Sequence, residues 1–234
     1  MFAGMCGTMA DKTLSLVFIS PEMRSFMESR STVFSDGTER KLFRKPKASQ
    51  IFTVSAVWRH HVLPMMRAIM LSRSQAAYVT LFSFLKNLMP NFKPKSVKCD
   101  FEDAQCNAWE IVFSPLTIEG CLWHFDVAIF RMARNKLGLY QVVKDEEEVA
   151  SIIRSAGALP LLSTEDIEGG LIDLGEEAKE KGWMPLLKPF FKYMAKEWLP
   201  KVHILSVKDS VHRTNNASES SNRSFNRKLR AAKP

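Results

Sequence analysis

No stretch of the sequence reaches the roughly 18 to 20 continuous apolar residues that a membrane-spanning helix needs. Even the apolar part of 62–71 is broken by Arg67, so no membrane span is expected. Cysteine is scarce: Cys6, Cys99, Cys106 and Cys121 have no repeated spacing, and no positively charged, apolar leader precedes them. At 234 residues the chain is long enough to bury a core without disulfides, so a reducing compartment is expected. A Gly-x-Gly-x-x-Gly fingerprint is also missing, which argues against a doubly wound dinucleotide fold.

The charge that is present is segregated. Residues 1–144 carry 19 Lys/Arg against 11 Asp/Glu, whereas 145–181 carry 3 against 11. The balance turns basic again over 182–200, with 3 against 1, and over 201–234, with 8 against 2, leaving the chain at +8. Such separation suits a basic face for a polyanion, because phosphate contacts release counterions and focus the field of the patch. Solvation of helix surfaces is the plainer reading of the same charges.

Periodicity divides the chain into strands and helices. The first thirty residues, rich in Met and Phe, read as a peripheral strand and helix. "TVFSD", "IFTVSAVW" and "HHVLPMMRAIML" read as three successive strands, the first ending in the turn pair Asp36-Gly37. Pro64 predicts an edge or a bulge in the third. "SRSQAAYVTLFSFLKNLMP" has a Ser start, a Pro stop and helical spacing at Ala77, Leu81, Phe84, Leu85 and Leu88. A short strand ending at Asp100, a helix over "EDAQCNAWEIVF", a strand over "TIEGCLWHF" and a helix over "DVAIFRMARNKLG" follow. The acidic stretch and "WMPLLKPFFKYMAKEWLP" carry helical spacing, and Asn215-Asn216 is a natural start for a last, basic helix.

This succession predicts an α/β fold, an RNase-H-like mixed sheet flanked by helices, with an all-helical insertion before the final helix. The expected organisation is a peripheral segment over 1–30, the first part of the core over 31–142, the insertion over 143–207 and a C-terminal helix over 208–234 that completes the core.

Asp36 and Asp100 sit at the ends of strands, and Glu219 lies on the expected last helix. Carboxylates on rigid strand ends suit Mg²⁺, a hard ion that demands octahedral oxygen ligands. Two such ions about 4 Å apart can activate a water or sugar hydroxyl for in-line attack on a phosphodiester and stabilise the leaving oxygen. By itself, two Asp and one Glu among 25 acidic residues is a weak pattern.

Four segments in order make it more specific. "SDGTERKLF" resembles the Asp-Gly-Thr-aromatic motif of the Mutator-like (MULE) transposase domain, and "PKSVKCDFEDAQCNAW" resembles its second-aspartate motif. "IEGCLWHF" is similar to its Gly-Cys-x-x-His-Phe motif, and "RTNNASESSNRSFNRKL" to its Arg-Thr-Asn-Asn-x-x-Glu-x-x-Asn segment. The resemblance covers residues 31–230. It implies an RNase-H-like core in which Asp36, Asp100 and Glu219 are first, second and third ligands of Mg²⁺ or Mn²⁺ and carry DNA cleavage and strand transfer. Glu39 departs from the pattern, standing where the family has an aromatic. On this resemblance, neither the zinc-binding DNA-recognition domain often found upstream in this family nor a full C-terminal region is expected within the 234 residues.

Cys121 and His124 have the spacing of half a zinc site, but no matching Cys/His pair lies nearby. The resemblance implies a structural, site-shaping role near the active centre; core packing is the alternative. Arg213, Arg223, Arg227, Lys228 and Arg230 surround Glu219, and Arg223, Arg227 and Arg230 share a helical face, a geometry for holding DNA phosphates with little sequence readout. The function expected is a nuclear DNA transposase catalytic domain acting on transposon ends, as a homo-oligomer in a synaptic complex. The alternative is a truncated or domesticated non-catalytic descendant that binds DNA or protein.

Overall fold

The computed structural model describes residues 1–38, 48–59, 61–214 and Arg227. The chain divides into two compact units that meet in sequence at residues 118 and 119. The protein is α/β, with a seven-stranded mixed sheet flanked by helices. In chain order the sheet-bearing part contains β1 (Phe2–Cys6), β2 (Ser15–Ile19), α1 (Pro21–Glu28), β3 (Thr32–Thr38), β4 (Gln50–Trp58) and β5 (His61–Met70). Then come α2 (Gln75–Leu88), β6 (Ser96–Cys99), α3 (Asp103–Phe113) and β7 (Thr117–Gly120).

The strand order is β1-β2-β5-β4-β3-β6-β7. β3, β4 and β5 form an antiparallel meander, and β6 pairs with the free side of β3 in parallel. β4 is buried on both faces over most of its length, which is why it reads as a nearly continuous run of β-branched and apolar residues. Pro64 sits at a bulge: Val54 pairs with Met66 but Ser55 pairs with Pro64, so Met65 is the extra residue. The first thirty residues supply two strands and a helix. β2 pairs with β5, and Val17 and Ile19 are core residues, so this strand is an integral part of the sheet.

Ser74 caps α2, its Oγ accepting from the Ala77 N–H at 3.3 Å. The helix buries Ala77, Tyr78, Leu81, Phe82 and Leu85. The sequence spacing put Phe84 and Leu88 on that stripe; the buried ring is instead Phe82, because it stacks on Trp109 of α3 at 4.1 Å and tilts against Phe52 of β4 at 5.8 Å. Tyr78, Trp109, Phe113 and Phe92 extend this cluster, each ring pair adding about 0.5–1.5 kcal/mol beyond its buried area.

The second unit is helical apart from its share of β7. It contains α4 (Leu122–Arg131), α5 (Tyr140–Asp145), α6 (Glu147–Ala158), α7 (Ile167–Glu180), α8 (Met184–Tyr193) and α9 (Val202–Leu205). α4 and α8 each run on through a π-helical turn, Met132–Lys136 and Met194–Trp198. The strand read through "TIEGCLWHF" stops at Gly120, and Cys121 is the N-cap of α4. Burial explains the difference. Cys121, Phe125, Ile129 and Ala133 recur every four residues and are all fully buried, a helical stripe that overrides the strand propensity of Trp123 and Phe125. Trp198 meets Phe125 edge-on at 4.7 Å, tying the end of this unit to α4. Among the described residues, no helix is long and apolar enough to cross a membrane.

Candidate metal centre

Strand register brings the two aspartates together. β3 and β6 run parallel with Thr32 opposite Ser96, Val33 opposite Val97 and Phe34 opposite Lys98. The last pair is Phe34 with Lys98; carried two residues past it, beyond the end of β6, the same register would set Asp36 level with Asp100. Partners in a parallel pair point to the same side, so both carboxylates lie on one face of the sheet. Asp36 is 6 % exposed, while Asp100, immediately after β6, is half-buried.

The same row continues across the sheet. Asp36 pairs with Thr53 of β4, and Thr53 pairs with Arg67 of β5, so these side chains share the face of the aspartates. Lys98, two residues before Asp100, also points this way and is only 1 % exposed. Burial lowers the pKa of the Arg67 guanidinium. Thr53, Arg67 and Lys98 were not singled out in the sequence. Only strand pairing, which the sequence does not carry locally, makes them neighbours of Asp36.

The opposite face fixes the backbone that carries the aspartates. Ser35, next to Asp36, accepts hydrogen bonds from the Gln105 amide and, at 3.3 Å, from the Trp109 indole N–H, both on α3. Gly37 leaves space for Gln50, whose Oε1 would lie 2.2 Å from a Cβ added there. Gln50 Nε2 donates to the Tyr78 hydroxyl at 2.7 Å, and that hydroxyl donates to Glu102 Oε2 at 3.2 Å. Arg73 closes the chain with two bonds to the Glu102 carboxylate, at 2.8 and 3.2 Å. Burial and the neighbouring Glu102 charge push the Tyr78 pKa up, and the bond to Glu102 raises that of Arg73. Glu102 is the N-cap of α3, so this network sets the turn that begins at Asp100. Cys99 and Cys106 lie in the same corner with sulfurs 3.5 Å apart; their hydrogen bond and burial raise the Cys99 pKa well above the thiol norm.

Of the other sequence-derived site residues, Cys121, His124 and Arg213 lie in the second unit, Arg227 in the first, and the rest outside the described residues. Cys121 is fully buried in the helical stripe of α4, and His124 follows in the first turn, its ring edge-on to Trp123 at 4.8 Å. The Leu122 N–H donates to the Arg213 carbonyl at 3.1 Å, so the Arg-Thr-Asn-Asn segment starts beside the Cys-x-x-His segment. Ser210 bonds Glu119 and the His212 carbonyl, fastening the same stretch. Arg227 is exposed. Glu219, Arg223, Lys228 and Arg230 lie outside the described residues, as does Glu39.

Two strand-end carboxylates offer hard oxygen donors of the kind Mg²⁺ and Mn²⁺ accept. Among the described residues, no three His, Cys, Asp or Glu side chains gather closely enough to hold an ion. Fold and site together define an α/β protein with Asp36 on one strand and Asp100 just after the parallel neighbouring strand. Compared with known proteins, the chain matches no family model, and no curated protein matches its sequence.

Proposed function

We propose that this chain is the catalytic domain of a DNA transposase of the Mutator-like type, with an RNase-H-like core, that cuts and joins phosphodiesters at transposon ends using Mg²⁺ or Mn²⁺. The observation that supports the reading is the parallel β3–β6 pairing, which puts Asp36 on one strand and Asp100 just past the end of its neighbour although 63 residues separate them in sequence. The order β5-β4-β3-β6-β7, a meander followed by helix–strand–helix–strand on the far side of its first strand, supports an RNase-H-like core. In this reading Asp36 and Asp100 are metal ligands and Glu219 supplies the third. The ions would activate the attacking hydroxyl and stabilise the leaving oxygen. Arg213, Arg223, Arg227, Lys228 and Arg230 hold DNA phosphates, while Cys121 and His124 shape the adjoining segment. DNA as substrate places the protein in the nucleus, and a synaptic complex of two ends calls for a homo-oligomer.

One observation favours a second reading, a domesticated descendant that binds DNA without cutting it. The row that holds Asp36 also holds Thr53 and Arg67, and Lys98 lies on the same face, so two cationic side chains accompany the two carboxylates. Incubation of the wild type and Asp100→Ala with transposon-end DNA and Mn²⁺ tests both readings. Cutting by the wild type alone is expected, with similar salt-sensitive binding by both proteins. Equal cutting by the two would end the metal-ligand assignment, and binding without cutting by either would favour the descendant.

A further inference from the structure

We propose that Lys98 is an internal counter-cation for Asp36 and Asp100, and that a divalent ion binds by displacing its ammonium group from between the two carboxylates. The inference rests on the reading of these aspartates as metal ligands. An ammonium on a residue only 1 % exposed needs an anionic partner and hydrogen bonds to offset the cost of its desolvation. Geometry names the partners. Lys98 lies two residues before Asp100 on β6, about 6.6 Å along the strand, and its register partner Phe34 lies two residues before Asp36 on β3. All four side chains share a face, and the buried Phe34 ring gives the lysine stem an apolar wall to lie along. The four-carbon stem is long enough for its nitrogen to reach the level of both carboxyl groups.

Two carboxylates held close together without a cation would repel each other. Lys98 holds the corner together before metal arrives; a divalent ion brings twice the charge and direct coordination, and pushes the ammonium aside. Arg67, across Thr53 in the same row, remains as a cation near Asp36 after the exchange. Lysine at this position therefore sets metal affinity, keeping it weaker than the two carboxylates alone would give, and couples metal uptake to movement of one side chain.

Calorimetry with Mn²⁺ on the full chain, alongside melting curves, tests this in the wild type, Lys98→Met, Asp36→Asn and the double variant. Lys98→Met is expected to bind Mn²⁺ at least about tenfold more tightly, since one competing charge has gone. It should melt lower than the wild type without metal and gain more from Mn²⁺. Unchanged affinity in Lys98→Met, with binding lost in Asp36→Asn, would overturn the displacement while leaving the metal site standing. Binding retained by Asp36→Asn would remove the metal-ligand reading and this inference with it. Should Lys98→Met not fold, the double variant decides: recovery of soluble protein on neutralising Asp36 supports the pairing, and no recovery overturns it.

Discussion

Gly37, the second residue of the Asp-Gly-Thr motif, is required by its neighbour across the sheet. A Cβ at this position would stand 2.2 Å from Gln50 Oε1 and 3.3 Å from Gln50 Cδ, so the amide must move by more than an ångström to admit Gly37→Ala. Gln50 is 1 % exposed and has nowhere to swing: its Nε2 donates to Tyr78 at 2.7 Å and touches Met70 Sδ at 3.3 Å. Forcing an extra carbon into such a place costs about 1–3 kcal/mol, and losing the Tyr78 bond a further ~1 kcal/mol. Alanine's smaller entropy loss on folding returns about 0.5–1 kcal/mol. The net expectation is a destabilisation of ~2 kcal/mol, which lowers the melting temperature by about 4–8 °C in a chain of this size. Urea and thermal melts of Gly37→Ala, Gln50→Ala and the double variant form the assay. In the Gln50→Ala background the clash has gone, so adding Gly37→Ala should cost less than about 0.5 kcal/mol. A glycine substitution equally costly in both backgrounds, or neutral in the wild type, would refute the steric account.

Two further expectations concern the same core and the helical unit. Tyr78→Phe removes an acceptor from Gln50 Nε2 and a donor from Glu102, and should cost about 1–3 kcal/mol in urea unfolding; stability equal to wild type would show that the buried chain contributes nothing. Half-burial in α4 raises the Asp126 pKa, so the folded state holds this proton more tightly than the unfolded chain. Its ionisation thus removes stability as pH rises through the carboxylate range. Asp126→Asn should melt above the wild type near neutral pH and level with it near pH 3, and a difference that persists in acid would contradict the assigned cause.

Much of the fold was legible because local chemistry and tertiary packing agreed. Ser74, Pro64 and the apolar run of β4 each announced their structure through a cap, a missing N–H or two-sided burial. Failures came where two periods competed. Through Cys121–Phe125 the residue types favoured a strand, and only the four-residue recurrence of Cys121, Phe125, Ile129 and Ala133, visible over a longer window, marks the helix. Phe82 displaced Phe84 on α2 because stacking on Trp109, a contact 27 residues away, decided which ring turned inward.

The site was legible only along single strands. Asp36 and Asp100 were visible as strand-end acids, but Thr53, Arg67 and Lys98 became neighbours through register, which no local pattern encodes. Register also accounts for the contrast between the two sides of β3. Odd-numbered Ser35 and Gly37 turn to α3 and Gln50, where fixed partners hold the strand in place. Even-numbered Phe34 and Asp36 turn the other way, to the face of Lys98 and Thr53. A slip of one residue between β3 and β6 would send Asp36 into the aromatic cluster and bring Gly37 opposite Asp100. The hydrogen bonds of Ser35 and the space at Gly37 thus do more than stabilise a strand: they hold the parity that turns Asp36 to the face of Lys98, the arrangement on which the proposed metal binding and the proposed competition with Lys98 depend.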